Sequence, residues 1–130
     1  MSERQERAVK LKQQTGDAHY NCCQAVACVF ADEVGLASDT LRKLGAGFGL
    51  GMGNMEATCG ALCGAQMILG LKKYQSSPIR NDAAELQKKF TAKCGASICK
   101  IIKGQNPEKK VLCSCDDCVS NAVELVEEFM

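Results

Sequence analysis

The chain has 130 residues, a length that predicts one domain, residues 1–130, around one hydrophobic core. Sixteen lysines and arginines balance fifteen acidic residues, and hydrophobic residues make up 46% of the chain. This composition excludes a disordered polymer and gives no electrostatic reason to expect nucleic acid or an anionic membrane as partner. Because no apolar run could span a bilayer and residues 1–14 lack the apolar stretch of a secretory signal, we expect a cytoplasmic protein.

The first third of the chain predicts three helices. Residues 2–15 form a charged helix that stops at Gly16, and residues 19–33 carry apolar side chains at helical spacing before Gly35. Ser38 is a candidate N-cap for a short helix that ends at Leu44. A glycine-rich loop, GAGFGLGMG at 45–53, then precedes a central helix over 54–73.

The remainder also has helical periodicity. Asn81 or Asp82 is expected to cap a helix that runs to about Cys94, and residues 97–103 form a shorter helical piece after Gly95. Ser114 is expected to open a last helix through Phe129. Only two short apolar pairs with β-branched residues, at 101–102 and 111–112, are strand-like, and both are too short for a sheet. The prediction is an all-α, compact bundle of about five to six helices.

Cysteine is the unusual feature of the composition, with ten cysteines beside a single histidine. In a reducing compartment, such a density favours metal ligation or thiol chemistry over a disulfide framework. There is one C-x-x-C, at 115–118, with no second one at zinc-ribbon distance and no ferredoxin-type run. The cysteines occur in four separated groups, which suits a site assembled from several helices: 22, 23 and 28; 59 and 63; 94 and 99; 113, 115 and 118.

Four cysteines fall near predicted helix starts: Cys22, Cys59, Cys99 and Cys118. A helix N-terminus presents free N–H groups and a partial positive charge, and both favour a thiolate over a thiol. An iron–sulfur site with four thiolates is anionic and gains from this placement.

The chain resembles a family of small redox-active proteins named for a C…GCAxxG…C…C signature. The matching segments are Asn21-Cys22-Cys23-Gln24-Ala25-Val26, Cys59-Gly60-Ala61-Leu62-Cys63-Gly64-Ala65, Cys94-Gly95-Ala96-Ser97-Ile98-Cys99 and Cys118-Val119. Thr58 stands where the signature has a glycine. The resemblance implies that Cys22, Cys59, Cys99 and Cys118 are the signature cysteines. Six more exceed the signature, and Cys63, Cys94, Cys113 and Cys115 are candidates for additional ligands or a second centre.

The resulting hypothesis is a small redox-active protein that binds an iron–sulfur cluster of unspecified type through the four signature cysteines and transfers electrons to a partner protein. Two alternatives stay open: a metal-free thiol–disulfide protein or sensor, using a pair such as Cys59/Cys63 or Cys115/Cys118, and a structural zinc protein. The sequence leaves monomer or homodimer open.

Other residues receive simpler interpretations. Cys23 and Cys28 are expected to be core residues on an Ala- and Val-rich helix. The glycine run contains no G-x-G-x-x-G register, so it predicts no nucleotide site. His19 is expected to be a surface residue beside Cys22, and one histidine in this place builds no hydrolytic triad. The sequence therefore does not decide whether the protein is an enzyme.

Overall fold

A computed structural model describes all 130 residues and shows an all-α fold, as predicted. Six helices have seven or more residues, and α3 and α7 are single turns. The only strand-like pairing is an isolated bridge between Thr58 and Ile98. None of the helices has both the length and the apolarity that a bilayer crossing requires. The helices are α1 (Glu3–Gln13), α2 (Cys22–Cys28), α3 (Ala31–Val34), α4 (Ser38–Gly45), α5 (Gly60–Lys73), α6 (Arg80–Cys94), α7 (Cys99–Ile102) and α8 (Cys115–Glu128).

Side-chain caps fix the starts of two helices that carry cysteines. The Asn21 side chain accepts a hydrogen bond from the Gln24 backbone N–H, and the Gln24 side chain accepts one from the Asn21 backbone N–H. This capping box sets Cys22 as the first residue of α2. Ser114 accepts from the Asp117 N–H and thereby opens α8, as the sequence predicts.

Helices α2 and α5 pack closely at the centre, and α8 packs against α5, α1, α2 and α6. Gly64 permits the close approach, since a Cβ there would lie 2.6 Å from the Cys23 carbonyl oxygen. The core around these helices is formed by fully buried large side chains, including Phe30, Leu41, Leu62, Ile68, Leu86 and Phe90.

Three element boundaries differ from the predictions. The helix expected over 19–33 begins at Cys22 and breaks after Cys28, where Phe30 leaves helical geometry and is fully buried. The central helix begins at Gly60 instead of residue 54, because residues 57–59 pair with residues 97–99. Helix α6 begins at Arg80 with Ile79 in the N-cap position, so neither Asn81 nor Asp82 caps it.

The glycine-rich stretch is more ordered than a simple loop. It contains a 3₁₀ turn at Ala46–Phe48 and a π-type turn at Gly51–Met55. Leu50, Met52 and Met55 all have positive φ, a conformation that non-glycine residues seldom adopt. This stretch lies between α4 and α5 and brings Gly49, Leu50 and Gly51 to the wall of a cavity.

Candidate functional site

A cavity of about 230 Å³ lies where the N-terminal ends of α2, α5, α7 and α8 meet. Six of the ten cysteines line it, and Lys12 and Lys103 add two cationic side chains to the wall. The cysteines are Cys22, Cys59, Cys99, Cys113, Cys115 and Cys118. All ten cysteines of the chain are free thiols.

The cavity wall includes the four signature cysteines, and each lies at a helix start as the sequence predicts. Cys22 and Cys99 are the first residues of α2 and α7, Cys59 is the N-cap residue of α5, and Cys118 is in the first turn of α8. All four are at most 9% exposed. Side chains that are up to 96 positions apart in the chain therefore share one largely water-excluded wall.

Backbone pairing holds two of these cysteines together. The Cys59 N–H donates to the Ser97 carbonyl at 2.7 Å, and the Cys99 N–H donates to the Ala57 carbonyl at 3.0 Å. Gly51 lies directly against Cys99, since a Cβ at Gly51 would be 2.7 Å from the Cys99 Cβ. The bridge and the glycine turn thus fix where Cys99 meets the cavity.

The pKa of Cys59 lies below that of an ordinary thiol. The main cause is a hydrogen bond from the Cys118 thiol, which outweighs the opposing effect of burial. The backbone N–H groups of Ala61 and Leu62, free at the start of α5, also donate to the Cys59 sulfur. These hydrogen bonds agree with the prediction that a helix N-terminus favours a thiolate.

A second feature is a tight group formed by Cys94, Cys113 and Cys118, whose sulfurs all lie within 4.8 Å of one another. The Asn121 amide lies against two of them, 3.4 Å from the Cys94 Sγ and 3.8 Å from the Cys113 Sγ. Hydrogen bonds from Cys118, Asn121 and Cys113 lower the pKa of Cys94 to about 6 despite its burial. Burial raises the pKa of Cys113 to about 11.

A third feature joins Cys115 to Cys22 and Lys103. A hydrogen bond from the Cys22 thiol, together with the Lys103 ammonium, lowers the pKa of Cys115 to about 5. The same hydrogen bond and burial raise the pKa of Cys22. Burial alone would lower the pKa of Lys103, but its contact with Cys115 more than compensates and the net shift is upward. Cys115 is therefore a half-buried thiolate paired with a cation.

The other two thiols of the cavity wall, Cys99 and Cys118, are held neutral. Burial raises the pKa of Cys99, and the hydrogen bond that the single Cys118 proton donates to Cys59 or to Cys94 raises that of Cys118. Neighbouring thiolates raise the pKa of both residues further, because thiols at close range cannot all ionise without repulsion between their charges. A bound cation would remove this penalty, so the donor set suits a thiophilic metal or a cationic metal cluster.

Cys23, Cys28 and Cys63 lie outside the cavity, and so does Cys94 of the three-cysteine group. Cys23 is fully buried, with its Sγ 3.8 Å from the Met67 Sδ, and Cys28 is buried with its Sγ 3.5 Å from the Ser38 carbonyl. These positions agree with the expected core role of both residues. Cys63 is half-buried in a separate depression beside Met67, so the structure does not bring this candidate ligand into the cavity of the signature cysteines.

His19 lies on the cavity rim and is exposed, as expected for a surface residue near Cys22. Its Nδ1 lies 2.8 Å from the Gln14 carbonyl oxygen, a distance at which the ring N–H donates. The histidine is therefore tied to the backbone of the α1–α2 connection.

Lys103 and Asn121 are two residues of the site that the sequence analysis does not predict, as is Lys12 on the cavity wall. Lys103 and Asn121 share one sequence feature. Both follow a signature cysteine at helical spacing: Lys103 comes four residues after Cys99, and Asn121 comes three after Cys118. Side chains at these spacings share a helix face. The signal was present, but it becomes meaningful only once the ends of α7 and α8 are known.

The fold and the site define an all-α, cysteine-rich protein with a cavity walled by thiols. Residues 20–129 match the model of a family described as "Putative redox-active protein (C_GCAxxG_C_C)", and the chain belongs to this family. Membership confirms the resemblance based on the cysteine motifs and places the chain in a class described as redox-active. Neither a curated protein nor a solved structure matches the chain.

Proposed function

We propose that the cavity binds an iron–sulfur cluster through Cys22, Cys59, Cys99 and Cys118 and that the protein transfers electrons to a partner redox protein. The observation that carries this proposal is the convergence of these four cysteines, each from a helix start, on one cavity. Ten free thiols also fit a reducing, cytoplasmic location.

The residues present fit such a group. Four thiolates are the usual ligand set of iron–sulfur clusters, and such a site carries net negative charge. Lys12 and Lys103 line the same wall and offset that charge. The N–H groups of Ala61 and Leu62 already donate to the Cys59 sulfur, a contact that tunes the potential of a thiolate-bound cluster.

The protein's own residues account for the other requirements of the site. Burial of the four cysteines limits water access, and the Thr58–Ile98 bridge keeps Cys59 and Cys99 in register. Gly51 leaves space for the Cys99 side chain against the glycine turn. When bound, the cluster supplies reversible one-electron transfer, which the side chains of this chain do not provide themselves.

Anaerobic reconstitution with iron and sulfide tests the proposal. The wild-type protein should acquire both elements and visible absorption, and serine at each of the four signature positions should remove most of the bound sulfide. Cys28→Ser is the matched control, since Cys28 is buried on the same helix as Cys22 but lies outside the cavity. Equal sulfide content in all five variants would contradict the assignment of ligands.

A metal-free thiol–disulfide function is the second candidate, and the Cys115 thiolate favours it. A pKa of about 5 keeps Cys115 ionised at neutral pH, and its hydrogen-bond partner is Cys22. This contact favours Cys22/Cys115 as the redox pair over Cys59/Cys63 and Cys115/Cys118, the pairs that the sequence spacing suggests. Oxidation of this pair by a disulfide substrate would form one S–S bond and leave the substrate as two thiols. Peptide mapping by mass spectrometry after mild oxidation would detect a Cys22–Cys115 disulfide.

A further inference from the structure

Cys94 and Cys113 lie beyond the signature set and form a compact group with Cys118. We propose that these three cysteines constitute a second metal site, which takes one thiophilic divalent ion of the Zn²⁺ type next to the signature cavity. The three ligands come from different segments: the last residue of α6, the loop before α8 and the first turn of α8. The site is therefore a product of tertiary structure, which explains why no zinc-type spacing is visible in the sequence.

The distances are close to those of a thiolate-bound ion. With Zn–S bonds of about 2.3 Å, sulfurs in tetrahedral or trigonal arrangement lie about 3.8–4.0 Å apart. The three sulfurs here are all within 4.8 Å of one another. Small side-chain rotations therefore close the set around an ion without movement of the helices.

The surroundings of the three cysteines favour thiolate ligands. Cys94 and Cys118 are each 1% exposed, so water does not compete for them, while half-buried Cys113 provides access. The Asn121 amide lies within hydrogen-bond reach of the Cys94 and Cys113 sulfurs. An amide donor that contacts two ligands orients them, as the hydrogen-bond partners of metal ligands commonly do.

Cys118 belongs to both thiol groups of the molecule. Its sulfur neighbours Cys94 and Cys113 on one side and contacts Cys59 on the other. A thiolate sulfur has several lone pairs and can bridge two metals, so Cys118 joins the second site to the signature cysteines. Cys94 and Cys113 are not ligands of the proposed cluster. The second site can therefore bind its ion whether or not the cluster is present.

Cobalt binding tests the site in protein that cannot assemble the cluster. The metal-free double variant Cys22→Ser/Cys99→Ser keeps all three ligands and should bind one Co²⁺ per chain, with intense sulfur-to-cobalt charge-transfer absorption. Adding Cys113→Ser or Cys94→Ser should weaken Co²⁺ binding by about tenfold or more, and Zn²⁺ should displace the cobalt. Adding Cys28→Ser is the matched control and should leave the affinity unchanged.

Asn121→Ala provides a milder perturbation that retains every thiol, and it should weaken Co²⁺ binding by about tenfold. Far-ultraviolet circular dichroism verifies that each variant remains helical. Unchanged Co²⁺ affinity in the folded Cys113→Ser and Asn121→Ala variants would overturn the proposal. Because this arm contains no iron or sulfide, failure of cluster reconstitution in the wild-type protein leaves the result for the second site intact.

Discussion

Gly51 offers a direct test of how the glycine turn positions Cys99. Its φ is +56°, and a Cβ at this position would lie 2.7 Å from the Cys99 Cβ, closer than such atoms approach in proteins. Gly51→Ala therefore introduces two costs, strain of the backbone and displacement of Cys99 from the cavity wall. Gly53 is the matched control, because its φ is +95° but nothing lies within 4 Å of an added Cβ.

The magnitudes follow from the two positions. A residue other than glycine held at positive φ costs about 1–3 kcal/mol, and both alanine variants bear this cost. Overpacking against a buried group adds about 1–3 kcal/mol, which applies to Gly51→Ala alone. The expected loss in unfolding free energy is thus about 2–6 kcal/mol for Gly51→Ala and about 1–3 kcal/mol for Gly53→Ala.

Urea unfolding of the two metal-free variants measures these losses, and sulfide content after reconstitution measures the effect on Cys99. Gly51→Ala should bind substantially less sulfide than Gly53→Ala, because only the first variant moves a proposed ligand. Equal sulfide content, or equal destabilisation, would refute the claim that the turn positions Cys99.

Three further results are expected. Gly64→Ala should lower the free energy of unfolding, measured with urea, by about 1–3 kcal/mol, because its Cβ would lie 2.6 Å from the Cys23 carbonyl oxygen. Gly70→Ala has open space around its Cβ and should raise the free energy of unfolding by about 0.5–1 kcal/mol. Iodoacetamide labelling of Cys115 in metal-free protein should rise with pH through about 5 and level off above it, because a lowered pKa keeps the thiolate present at all higher pH. Lys103→Met should shift this profile to higher pH, whereas Lys100→Met should not, because Lys100 pairs with Glu56. If both variants have the same profile, Lys103 does not lower the pKa of Cys115. In protein that carries the cluster, Cys59→Ala should abolish the visible spectrum and lower the free energy of unfolding. Cys28→Ala should keep the spectrum and lower the free energy of unfolding by about 1–2 kcal/mol. Equal tolerance of both substitutions would mean that Cys59 is not a ligand.

The helical class and the start of α8 could be predicted from local sequence. Ser114 caps α8 because its side chain reaches the Asp117 N–H, an interaction between residues three apart. Local spacing also placed Cys22 and Cys99 at helix starts. Such features depend on neighbours in the chain, which is why the sequence contains them.

Features that depend on distant partners were not predictable. The central helix starts six residues late because Ala57 and Cys59 pair with Cys99 and Ser97, some forty positions away. The grouping of Cys94 with Cys113 and Cys118 likewise depends on how α6 meets α8. Cys63 shares a helix with Cys59, yet packing of α5 directs it to a separate depression beside Met67.

Chemical analysis of the protein purified without oxygen tests the central claim most directly. Iron and acid-labile sulfide should be present together, in whole-number amounts per chain, with visible absorption that bleaches on reduction. All three should be lost when Cys59 and Cys99 are both replaced by serine. Protein that contains no sulfide, before and after anaerobic reconstitution, would contradict the claim that the four signature cysteines hold an iron–sulfur cluster.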